Sequence, residues 1–310
     1  MAFSIILWGG LVLALTSLPP NQDCKECHLS MPQLTGEKCR VCHFSPKPDK
    51  NTDIEPMLAI QVMPVVDQKS RSPFRGMVLI PAGPFIMGYD KRWPDEGPSH
   101  TVNLGDFYID QFEVTNAQYA EFVNATHRKP PSYWGSGRFP PEKAKHPVVM
   151  VNWYDARDFC QWADKRLPTE QEWEKAARGT DGRVFPWGNT YDISKSNSPQ
   201  RWKALGQPGD TLPVGSFPEG KSPYGVYDIA GNVWEWTESW YLPHPGNTHP
   251  TENYGHKYKV AKGGSWKDCS FYRCGLSGPT FNRGFFEPKT TTRSFGFRCA
   301  RNTTVGPYKK

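Results

Sequence analysis

The spacing of apolar positions changes several times along this chain, and each change marks an element. Met77-Val-Leu-Ile80 is a short apolar run stopped by Pro81-Ala-Gly83, and Phe107-Tyr-Ile-Asp110 is another; both predict strands. Three stretches carry helical spacing. Thr115 caps a helix running to about Asn124, with Ala117, Ala120 and Val123 on one side. Asn152 caps a second, in which Ala156, Phe159, Cys160 and Ala163 fall at i, i+3, i+4 and i+7 and predict a buried face. Thr169 with Glu172 three residues on is a capping box; the helix it opens turns Trp173, Ala176 and Ala177 inward and stops at Gly179. Beyond residue 180 the pattern predicts turns and short strands.

The N-terminal quarter reads differently. Residues 3–18 form an uncharged apolar run closed by Pro19 and Pro20. It has the length of a secretory h-region or a marginal anchor, shorter than the roughly 20 residues of a spanning helix. Two pentads follow: Cys24-Lys-Glu-Cys27-His28 and Cys39-Arg-Val-Cys42-His43. Each is a CxxCH, the attachment signature of a c-type haem. Two thiols so spaced can form thioethers to one porphyrin, and the adjacent histidine ligates the iron. His28 and His43 are therefore the expected iron ligands, with Met31, Met57 and Met63 as candidates for the opposite face. Two other readings stay open: a four-thiolate zinc ribbon, which needs neither histidine, and two short disulfides. An exported chain fits haem attachment in a periplasm or at a cell surface, and disfavours a zinc ribbon, which suits a reducing compartment.

Only ten residues separate His28 from Cys39, so two porphyrins held there lie within tunnelling range of each other. A segment this short cannot bury them alone. The expectation is an electron-transfer subunit of a larger membrane-associated redox assembly, partnered by other redox or membrane proteins. Composition narrows the rest. Gly (28), Pro (30) and Trp (12) are abundant in 310 residues, which fits a loop-rich globule and not a helical bundle. The charge of +6 is scattered, with no basic stripe interleaved with aromatics, so nucleic acid is not an expected partner.

The chain thus divides into a leader or anchor (1–20), a di-haem segment (21–46), a Pro-, Lys- and Asp-rich linker (47–74), a large domain (75–301) and a tail (302–310). The large domain carries Met77-Val-Leu-Ile-Pro-Ala-Gly-Pro-Phe-Ile-Met-Gly88, Phe112-Glu-Val-Thr-Asn-Ala-Gln-Tyr119 and Arg166-Leu-Pro-Thr-Glu-Gln-Glu-Trp173. Then come Pro186-Trp-Gly188, Tyr224-Gly-Val-Tyr-Asp-Ile-Ala-Gly-Asn-Val-Trp-Glu-Trp236, Gly263-Gly-Ser-Trp266 and Phe295-Gly-Phe-Arg-Cys299. In this order the motifs resemble the sulfatase-modifying-factor family, whose founding member is the formylglycine-generating enzyme.

The resemblance implies an irregular α+β fold related to C-type lectin-like domains. It also implies several site residues. Cys160 and Cys299 match positions that form a disulfide in the family. Asn232, Val233 and Glu235 match one calcium site, and Asn197 with Asp210 a second; hard oxygen donors suit Ca²⁺. Active members hold Cu(I) between two cysteines after the GGS motif, a soft pair for a soft ion. Here Cys269 and Cys274 have the family's five-residue spacing. However, Cys269 lies one residue further from Ser265 than in the family, and Gly275-Leu-Ser-Gly-Pro-Thr280 replaces the arginine-rich segment. The fold does not fix the function. Three readings follow: a non-catalytic scaffold for the electron-transfer segment, a copper-dependent oxidase using Cys269 and Cys274, or an exported lectin-like binding module.

Overall fold

The structure is a computed structural model that describes residues 75–267 and 278–303. The leader, both CxxCH pentads, Met31, Met57, Met63 and the Cys269/Cys274 pair lie outside the described residues.

Strands β1 (Met77–Ile80), β2 (Gly83–Met87), β3 (His100–Leu104) and β4 (Phe107–Asp110) open the domain. β1 and β4 form over the two apolar runs and pair antiparallel, with Met77 opposite Asp110 and Ile80 opposite Phe107. β2 and β3, which the apolar pattern does not announce, form a two-stranded sheet. Helix α1 (Asn116–Thr126) starts at Thr115, whose hydroxyl accepts from the Gln118 N–H while the Gln118 side chain reaches back to the Thr115 N–H. Ala120 and Val123 of the expected stripe do face the core, but bulkier residues share that face. Asn116, Tyr119, Phe122 and Val123 are buried, and Ala117 is exposed. The larger aromatic rings gain more from burial than alanines do, and they set the helix's rotation.

Helix α2 (Trp153–Trp162) is capped by Asn152 and buries Trp153, Ala156, Phe159 and Cys160. Helix α3 (Glu170–Arg178) is capped by Thr169 and ends at Gly179, at φ 72°. Besides Trp173, Ala176 and Ala177 it buries Glu170, Glu174, Lys175 and Arg178. A fourth helix, α4 (Pro199–Leu205), follows. Then come β5 (Trp234–Trp240), β6 (Lys259–Lys262), β7 (Gly284–Phe286), β8 (Phe295–Gly296) and β9 (Ala300–Asn302). They complete a four-stranded sheet, β7-β6-β5-β8, and a three-stranded one, β1-β4-β9.

Two apolar cores result. One gathers α1, α2 and the aromatic residues of β5, β7 and β8. The other packs β1 and β4 against Trp173, Ala176 and Ala177 of α3. Cys160 of α2 and Cys299, beside β9, are joined by a disulfide across 139 residues. Among the described residues no helix is long and apolar enough to cross a membrane.

Candidate functional site

The Gly231–Trp236 segment organises the polar interior. Gly231 has φ 155°, and a Cβ there would lie 2.3 Å from the Asn197 carbonyl oxygen, so only glycine fits. This close approach brings Asn232 onto Asn197. The Asn232 N–H donates to the Asn197 carbonyl (2.8 Å), and Asn197 Nδ2 donates to Asn232 Oδ1 (2.9 Å) and to the Asp210 carbonyl (2.9 Å). The two candidate calcium groups read from the sequence are therefore one connected network.

Its free oxygens are few. Asn232 Oδ1 also accepts from the Leu212 N–H (3.0 Å), and Asn197 Oδ1 accepts from Trp202 Nε1 (2.6 Å). Asp210, largely exposed, pairs with Lys143 (2.7 Å). Glu235 is fully buried; Arg298 donates to both its oxygens (2.6 and 2.7 Å), and Trp173 Nε1 donates to one (2.8 Å). Glu235 is thus built as the partner of Arg298, and giving an oxygen to a cation would break a buried ion pair. Val233 contributes a buried side chain, and its N–H donates to Glu113 (3.3 Å). Among the described residues no group of three or more His, Cys, Asp or Glu side chains is disposed to hold a metal ion.

Two buried acids join this network without having been singled out by the motif reading. Glu113 accepts from Asn232 Nδ2 (2.6 Å), and Asp228 accepts from the Gly215 N–H (2.6 Å). With Glu235 they make three buried carboxylates around the guanidinium of Arg298. Burial, with the charges of Asp228 and Glu235, raises the Glu113 pKa well above the ordinary carboxylate range. Burial likewise pushes Asp228 up to about 6, against the Gly215 hydrogen bond and Arg298. Glu113 lies within Phe112-Glu-Val-Thr and Asp228 within Tyr-Asp-Ile-Ala-Gly-Asn, so the motifs held both residues; their convergence on Arg298 is a tertiary fact.

The segment bearing Cys269 and Cys274 leaves from and returns to this same region. The Trp266 N–H donates to the Asn232 carbonyl (3.0 Å), just before the cysteine segment. Gly278, just after it, packs on Ala230: a Cβ there would lie 3.0 Å from the Ala230 carbonyl oxygen. Behind these ends lies a second ionic network. Lys262 of β6 pairs with Glu174 (2.9 Å), Arg283 beside β7 pairs with Glu170 (2.7 Å), and Arg178 pairs with Glu174 (2.8 Å). Both strands flanking the cysteine segment are thereby tied to α3. Burial pushes the Glu170 pKa up, but Arg283, His244 and Lys262 outweigh it and hold the carboxyl well below its usual range. Glu174 is lowered in the same way by Lys262 and Arg178.

Residues 62–303 match the sulfatase-modifying factor enzyme 1-like domain. The formylglycine-generating enzyme of Mus musculus is 34% identical over 284 residues, with 72% of this chain and 74% of the mouse protein covered. The inactive C-alpha-formylglycine-generating enzyme 2 of the same species is also 34% identical, with 72% and 85% covered. The formylglycine-generating enzyme of Thermomonospora curvata is 34% identical, with 76% and 97% covered. Among solved structures, PvdO from Pseudomonas aeruginosa superposes with a TM-score of 0.59 at 28% identity, covering 73% of this chain and 94% of that one. Active and inactive proteins stand at the same distance, so likeness gives the architecture and leaves the chemistry to particular residues. On the extent of these matches, the chain belongs to the sulfatase-modifying factor enzyme 1-like family, with an irregular α+β domain of the formylglycine-generating-enzyme type.

Proposed function

We propose that this protein carries electrons as a di-haem c-type cytochrome, and that its formylglycine-generating-enzyme-like domain is a scaffold. The observation that carries the reading is the pair of CxxCH pentads, Cys24–His28 and Cys39–His43, ten residues apart. Cys24 and Cys27 would hold one porphyrin and His28 its iron; Cys39, Cys42 and His43 would hold the second. The displaced Cys269 and the existence of inactive relatives favour a scaffold over an oxidase. The apolar leader favours export, with the protein at the periplasmic or outer face of a membrane among other redox subunits. A pyridine haemochrome assay with intact-mass spectrometry, on protein from a cell able to mature c-type cytochromes, tests this. Two haems per chain are expected; a mass equal to the bare polypeptide ends the reading.

A second reading is a copper-dependent oxidase of the formylglycine-generating type. It is favoured by the five-residue spacing of Cys269 and Cys274 and by near-full coverage of the Thermomonospora curvata enzyme. Two thiolates so placed suit Cu(I). Copper retained by the wild type and lost in Cys269→Ser supports it; a wild type that binds no copper excludes it.

A further inference from the structure

Lys259 sits where buried lysines seldom sit. It is 2% exposed, and its ammonium lies between two indole faces, 4.0 Å from the Trp153 ring centre and 3.9 Å from that of Trp240. Its hydrogen bond goes to the carbonyl of Glu238 (2.6 Å), and among the described residues it makes no salt bridge. Buried lysines ordinarily have a carboxylate partner.

The position matters as much as the surroundings. The pairing of β5 with β6 slips between Trp236 and Trp240, and the residues of that bulge fasten two helices. Trp153 Nε1, at the start of α2, donates to the Thr237 carbonyl (2.8 Å). The Glu238 N–H donates to the Pro168 carbonyl (2.8 Å), and the Glu170 N–H, the first of α3, donates to Ser239 Oγ (3.0 Å). Lys259 therefore closes the joint at which β5 meets the N-terminal ends of α2 and α3.

We propose that Lys259 makes this joint sensitive to protons, its charged ammonium loosening the joint and its neutral amine tightening it. The groups facing it point the same way. Arg157 of α2 lies over the same Trp153 ring, 5.2 Å from its centre, so that ring is shared by two cations and cannot fully offset the loss of hydration. Arg157 is itself held by Asp158 (2.7 Å), and His256 lies beyond Trp240, 5.4 Å between ring centres. The Glu238 carboxylate favours the charged form but does not pair with it. Burial prevails and pushes the amine down to about 8. In an unfolded or opened chain the amine keeps its ordinary value of 10.5, so the charged form favours opening. That penalty is present in full below pH 8 and is relieved as pH rises toward 10.5.

The test is a titration of the full-length chain by NMR of ¹³C at lysine Cε, with Lys259 assigned through Lys259→Met. A midpoint near 8 is expected, and a midpoint at 10 or above overturns the proposal. Thermal melts give an independent arm. Lys259→Met is expected to melt about 5 °C above the wild type at pH 7, with the gap closing by pH 10. Lys259→Arg, which keeps the charge, should show no such gain. A Lys259→Met protein that melts below the wild type at pH 7 means the indole cage rewards the charge, and the proposal fails.

Discussion

The two buried ionic networks handle charge in opposite ways. Around the Gly231–Trp236 segment, Glu113, Asp228 and Glu235 face the single guanidinium of Arg298. Around α3, Glu170 and Glu174 face Lys262, Arg178 and Arg283. One network is short of cations, while in the other Glu170 and Glu174 each meet two. The first lifts the pKa values of Glu113 and Asp228, and the second depresses those of Glu170 and Glu174. The same fold thus contains a region that gains from protons near neutrality beside one that ignores them. The lesson is that burial alone does not set a group's titration; the ratio of acids to bases around it does.

The sharpest way to break this contrast is Arg298→Met. It leaves three buried acids without their cation and is expected to cost about 5 kcal/mol in urea unfolding at pH 7, with much of the loss recovered at pH 5. Cutting the neighbouring tie, in a Cys160→Ser/Cys299→Ser protein, should cost about 5 kcal/mol on the chain-entropy account, independent of pH between 5 and 8. Asp228 gives the contrast its sign. Its folded pKa of about 6 lies above the ordinary 3.8, so the stability it contributes is complete below pH 4 and is lost as pH rises through 6. The loss should be about 3 kcal/mol and should vanish in Asp228→Asn. The smallest effect belongs to the cation-rich side. Lys262→Met still leaves Glu174 paired with Arg178, and should cost about 2 kcal/mol with no pH dependence from 5 to 8. A pH-dependent loss in Lys262→Met would erase the distinction between the two networks.

Much of the frame was legible in the sequence. Thr115, Asn152 and Thr169 announce helices α1 to α3 because capping is a local matter of three or four residues. The runs at Met77 and Phe107 give β1 and β4. Strand β3 alternates strictly, but with only Val102 and Leu104 as apolar residues the run is too short to stand out in the sequence. Helix α4 was hidden because its seven residues bury none of their side chains. On α1 the small-residue spacing marks Ala120 and Val123 correctly but not Ala117, because Tyr119 and Phe122 set the helix's rotation. At the site, the motifs name Asn197, Asp210, Asn232 and Glu235 as calcium ligands but say nothing of the partners these side chains meet. Glu235 meets Arg298 across 63 residues and Asn232 meets Glu113 across 119, and no local pattern carries such pairings.

The order β1-β4-β9 has a mechanical consequence. β1 begins opposite Asp110, and β9 ends opposite Phe107, at the other end of the shared strand. Chain entering at residue 75 and leaving at residue 303 would therefore pull the two outer strands in opposite directions along their length. A tug between the termini loads the rungs of both ladders together in shear instead of unzipping them one by one. The Cys160–Cys299 bond, just before β9, passes the load to α2 and keeps the chain between the two cysteines from being drawn out.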